Sequence, residues 1–145
     1  MPMPLAYPAT QQGPAPLIDL SSRAERDRLS SDAIRAFFNI MERWKIKDSD
    51  ARLLLGDMSN GGYYALKKKP DRTLDEDRLR RISYLVGIFK ALNILYSEKL
   101  ADQWIQLSNK NRIFGGRTPL SYMIRGGLPA FQTVRRLLDA RRGGH

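Results

Sequence analysis

The stretch from Thr73 to Tyr96 constrains the fold more than any other. Thr73-Leu74-Asp75-Glu76 has the spacing of a capping box, with Thr73 as N-cap and Glu76 three residues on. It opens a helix expected to run from Leu74 to Tyr96. The apolar residues of that helix, from Leu79 and Ile82 to Leu92 and Leu95, spread over more than one stripe in its second half. A helix apolar nearly all round must be buried on several sides. In a chain of 145 residues it is either the central strut of the core or part of a subunit interface. Ile88, Phe89 and Leu92 are therefore the candidate dimerisation residues.

The remaining elements also read as helices. Ser21 or Ser22 could cap a short helix running through Arg28. From Ser31, the residues Ile34, Phe37, Phe38 and Met41 fall at i, i+3, i+4 and i+7, the stripe of a core-facing helix that Trp44 extends. Asp48 or Ser49 caps a second helix, Asp50 to Leu55, stopped by Gly56. Met58-Ser59-Asn60 is a turn and cap, and Gly61 to Lys68 is a third helix ended by Pro70 and Asp71. Ser97 caps a helix carrying Leu100, Trp104, Ile105 and Leu107. Asn109, Asn111, Gly115 and Gly116 mark a loop. Thr118-Pro119 is a cap followed by proline in the first turn, and Gly126-Gly127 stops that helix. Leu128-Pro129 opens the last one, with Phe131, Val134, Leu137 and Leu138 inward. No strand-like alternation occurs, so the expected fold class is all-α.

Composition removes most catalytic chemistry. There is no Cys, and the one His is the terminal His145, which excludes disulfides, His-based triads and most zinc sites. No Walker loop and no dinucleotide fingerprint is present, so no enzyme, cofactor or metal is expected. No apolar run reaches the roughly 18 residues of a membrane span. Met1-Pro2-Met3-Pro4 lacks the charged and apolar regions of a signal peptide, and a cytoplasmic location is expected. The net charge of +10 is uneven: residues 110–145 carry net +7 and residues 31–69 net +3, with the rest neutral. Such a balance favours polyanionic or acidic partners.

Asp48 to Lys69 has the shape of a helix-turn-helix, whose second helix enters the major groove. Ser59 and Asn60 would meet phosphate or a base edge. Tyr63 and Tyr64 offer hydroxyls and ring faces, although neighbours on a helix face different ways and one of the pair is expected in the core. Lys67, Lys68 and Lys69 would neutralise phosphates.

On these residues the chain resembles the Xre/MbcA/ParS antitoxins. The resemblance covers roughly residues 30–141. It is carried by Ile34-Arg35-Ala36-Phe37-Phe38 with Trp44, by Ala51 to Gly56, and by Tyr63-Tyr64 with the lysines. Trp104, Asn109, Gly115-Gly116-Arg117-Thr118-Pro119-Leu120 and Val134 to Leu138 carry it further. Phe114 stands where such proteins commonly have leucine or proline, and Gly61-Gly62 is an unusual start for a reading helix. The resemblance implies a Xre-like helix-turn-helix followed by a toxin-binding domain, whose usual partner is a RES-domain toxin that destroys NAD+. Such an antitoxin typically dimerises, blocks the toxin and represses its own operon at operator DNA.

The expected layout is a Pro-rich flexible arm at 1–29, a DNA-binding region at 30–72, a connecting and dimerisation helix at 73–96 and a toxin-binding domain at 97–145. Residues 110–145 would hold the toxin, with Arg117 bracing the loop and Arg135, Arg136, Arg141 and Arg142 touching the partner. Two rivals remain: a stand-alone dimeric repressor, and a small enzyme using the Gly115-Gly116 loop to cradle an anion.

Overall fold

A computed structural model describes residues 19–143. Most of the Pro-rich arm and His145 lie outside them. The described residues form α1 (Arg23–Trp44), α2 (Asp48–Leu54), α3 (Asn60–Lys68), α4 (Glu76–Leu95), α5 (Glu98–Gln103), α6 (Pro119–Gly126) and α7 (Leu128–Arg142). Short 3-10 turns follow α5 at Trp104–Gln106 and precede α6 at Arg112–Phe114. The fold is all-α, as its residue pattern implies. Among the described residues no helix is long and apolar enough to cross a membrane.

The expected short helix after Ser22 and the helix from Ser31 are one continuous α1. The boundary placed at residue 29 falls inside it. Ser22 is the N-cap, its Oγ accepting from the Glu25 N–H. Ser30 and Ser31 interrupt the apolar pattern because they serve a distant segment. Ser30, almost fully buried, donates to the Arg26 carbonyl at 2.6 Å and accepts the Leu74 N–H at 2.9 Å. Ser31 donates to the Pro70 carbonyl at 2.9 Å. Together they hold the connection between α3 and α4 against α1. The capping box expected at Thr73 is displaced for the same reason. The Thr73 hydroxyl donates to Asp27 on α1, and Asp75 caps α4 instead, accepting the Arg78 N–H at 2.8 Å.

The long helix α4 is a central strut of the core, packing on α1, α5 and α7. Ile88, Ala91 and Leu92 are fully buried within the single chain. One apolar core runs through all seven helices, from Ile34 and Phe37 on α1 to Val134 and Leu138 on α7. Gly87 allows α7 to approach. A Cβ at this position would lie 1.6 Å from the Arg135 guanidinium, so a glycine, which costs about 1 kcal/mol in a helix interior, admits that side chain. The helix start at Thr118-Pro119 forms as expected, the Thr118 hydroxyl accepting the Ser121 N–H at 3.1 Å.

Candidate functional site

Two surfaces carry the expected functional residues. The first is α3. Ser59 caps it and accepts the Gly62 N–H at 3.1 Å. The turn before it, through Gly56 and Asp57, is braced by Arg52. That guanidinium pairs with Asp57 at 3.0 Å and donates to the Met58 carbonyl at 2.8 Å. Asp57 thereby holds a left-handed φ of 58°, uncommon for a residue with a side chain.

Asp48, the first residue of α2, is the anchor of α3. It accepts the Tyr63 hydroxyl at 2.8 Å and the Tyr64 hydroxyl at 3.3 Å, and pairs with Lys67 at 2.9 Å. The Lys67 contact first, then the Tyr63 hydrogen bond, holds the Asp48 carboxyl below its usual range, against a smaller opposing effect of burial. Burial first, then the Asp48 contact, pushes the Tyr63 phenol up. Tyr63 is only 1% exposed and lies edge-on to Phe38, with ring centroids 5.5 Å apart. It is the core member of the tyrosine pair, so it leaves the candidate reading set. Lys67 is partly neutralised, whereas Lys68 and Lys69 are exposed and without an ion pair among the described residues. Asn60 and Tyr64 also face outward. Asp48 was legible only as a helix cap, and even that role is absent: Lys47 occupies the N-cap position without a side-chain bond.

The second surface lies at the C-terminal end. Arg135 pairs with Asp139 at 3.0 Å while lying over Gly87. Arg142 reaches the same carboxylate at 3.6 Å, and Arg141 donates to the Tyr96 hydroxyl at 2.9 Å. These three arginines fasten α7 to itself and to the end of α4. Arg117 and Arg136 remain exposed and unpaired among the described residues. The Arg117 backbone closes the loop, its N–H donating to the Phe114 carbonyl at 2.9 Å. Ile88 and Leu92 are corrected as dimer contacts, since a side chain with no exposed surface in one chain cannot touch a second. Phe89 is half-buried between the Trp44 ring and the Arg43 guanidinium.

Polar ties join the two ends of the molecule. Arg81 pairs with Asp77 at 2.8 Å, donates to the Leu54 carbonyl at 3.4 Å and sits over the Phe131 ring. It therefore links α2, α4 and α7. Arg43 on α1 pairs with Asp102 at 3.1 Å on α5, and Gln106 donates to the Trp44 carbonyl at 2.7 Å.

The chain is 38% identical over 122 residues to the uncharacterized protein y4oB of Sinorhizobium fredii (strain NBRC 101917 / NGR234), a match spanning 79% of this chain and 92% of that protein. The model of the antitoxin Xre/MbcA/ParS C-terminal toxin-binding domain matches residues 91–144. This C-terminal segment belongs to the Xre/MbcA/ParS toxin-binding domain family. No solved structure matches the chain. The matched region begins inside α4, at Ala91, and takes in α5, both 3-10 turns, α6 and α7. The toxin-binding unit thus includes the last turn of the strut.

Proposed function

We propose that this protein is an antitoxin, which blocks a RES-domain, NAD-degrading toxin through its C-terminal helices and represses its own operon through α2, the braced turn and α3. It acts by binding and carries out no reaction of its own, in the cytoplasm. The match of residues 91–144 to a toxin-binding domain carries the reading. The RES identity of the toxin follows from the family resemblance. The DNA part rests on α3, where Ser59, Asn60, Tyr64, Lys68 and Lys69 are exposed on one short helix and its flanks.

Lys68→Ala/Lys69→Ala is expected to weaken binding on every DNA sequence and to reduce the salt slope by about two, one for each phosphate that is no longer neutralised. Asn60→Ala should alter sequence preference instead. Fluorescence anisotropy over a salt series checks both. An unchanged slope in a folded double variant means that α3 is not the DNA-contacting helix.

The antitoxin is proposed to act as a dimer, which presents two α3 helices to a palindromic operator. Its interface is the apolar groove between α1 and α4, not the buried Ile88 and Leu92. Leu29, Ala33, Ile82 and Val86 line one part, about 450 Å³ in volume, and Val86 continues into a second part with Ala36 and Phe89. Asp32 lines the first part and Lys90 the second. A two-fold antiparallel arrangement of two copies sets these opposite charges together.

A further inference from the structure

Residues 103–138 contain no Asp or Glu and six basic residues, the longest acid-free stretch of the described chain. Arg135 is held by Asp139 from beyond that stretch. Lys110, Arg112, Arg117, Arg125 and Arg136 are exposed and have no ion pair among the described residues. Three of these five, Lys110, Arg112 and Arg117, lie in the loop between the first 3-10 turn and α6, which includes the second turn. The same loop exposes two aliphatic side chains, Leu107 at 45% and Ile113 at 38%.

The loop is not slack. Asn109 accepts the Asn111 N–H at 2.9 Å, and Asn111 accepts the Ile113 N–H at 3.1 Å. Phe114 is fully buried, edge-on to Tyr122 at 5.2 Å and to Trp104 at 6.1 Å. Gly115 and Gly116, at φ 57° and 84°, turn the chain back so that the Arg117 N–H reaches the Phe114 carbonyl. An ordered loop displaying apolar side chains among uncompensated cations loses little entropy when a partner covers it. The cations call for an acidic partner. Leu107 and Ile113 call for a protein surface, because phosphate contacts leave aliphatic groups uncovered and the loop exposes no aromatic ring for base stacking.

We propose that the toxin docks on the outward face of residues 107–117, burying Leu107 and Ile113 while Lys110, Arg112 and Arg117 meet an acidic rim. The inference rests on the antitoxin reading above and deepens it. It moves the main toxin contact from the arginines of α7 to this loop, since Arg135, Arg141 and Arg142 are engaged within the fold.

The test uses the 145-residue protein and the purified RES-domain toxin proposed as its partner. Arg112→Glu/Arg117→Glu and, separately, Ile113→Asp are titrated calorimetrically against it, with circular dichroism confirming the fold. Lys110→Glu, outside both 3-10 turns, gives a third variant. The first two are expected to weaken toxin binding about 30-fold or more, as truncation of central interface side chains does. Operator DNA binding stays unchanged, and the charge reversal alone also flattens the salt dependence of toxin binding. Toxin affinity within about threefold of wild type for all three folded variants overturns the docking face while leaving the antitoxin reading intact. Loss of DNA binding with toxin binding preserved also overturns it, in favour of a nucleic-acid contact. A wild-type antitoxin that does not bind the RES-domain protein removes the reading, and this inference with it.

Discussion

Ile88→Asp and Leu92→Asp are each expected to abolish folding, whereas Val86→Glu gives a folded monomer. Ile88 and Leu92 have no exposed surface, and the side chains around them are apolar members of the single core. An unpaired carboxylate there costs several kcal/mol, against a total stability of about 5–15 kcal/mol for a typical domain. Even the milder Ile88→Ala should cost about 2–5 kcal/mol through the cavity it leaves. Val86 is half-buried and borders both parts of the α1/α4 groove, so a charge there reaches solvent in the monomer and is trapped only in the dimer. Circular dichroism separates folded from unfolded chains, and light scattering gives the mass. A folded Ile88→Asp protein contradicts the packing described for α4. A dimeric Val86→Glu protein contradicts the groove as the interface.

Phe114→Ala is expected to cost about 3–5 kcal/mol, typical of removing a buried aromatic side chain. The consequence exceeds stability. Phe114 is the one fully buried side chain of the loop before α6, and its contacts to Trp104 and Tyr122 fix where Arg112, Ile113 and Arg117 point. The remaining fold is expected to survive the substitution, because α4 packs directly on α1 and α7. Urea unfolding should therefore show reduced stability, and toxin binding should fall more steeply than DNA binding. A destabilisation under about 1 kcal/mol, or equal decreases in both activities, would mean the loop is not anchored as described.

Much of this architecture is legible in the sequence because local chemistry decides it. Thr118-Pro119 starts α6, Gly126-Gly127 ends it, and Ser59 and Ser97 cap their helices through side-chain bonds spanning three residues. The apolar excess of α4 correctly marks a helix buried on several sides. What escapes the sequence depends on distant partners. Ser30 and Ser31 resemble a helix start but serve Leu74 and Pro70. Thr73 fits a capping box, yet its hydroxyl goes to Asp27. The choice between Tyr63 and Tyr64 follows from where Asp48 and Phe38 lie, which no period reveals. The α7 arginines look like a free basic end until Asp139, Gly87 and Tyr96 are seen to hold three of them. The acid-free character of residues 103–138, by contrast, is plain in the sequence. Its importance emerges only when its cations prove unpaired and its aliphatic neighbours exposed.

As the proposed antitoxin, this protein silences a toxin by direct binding. The measurement that tests this is NAD+ consumption by the RES-domain toxin proposed as its partner, purified and titrated with the 145-residue protein. The rate should fall in proportion to added antitoxin and reach zero at a fixed molar ratio, with no NAD+ consumed by the antitoxin alone. Undiminished NAD+ consumption at saturating antitoxin would contradict the account.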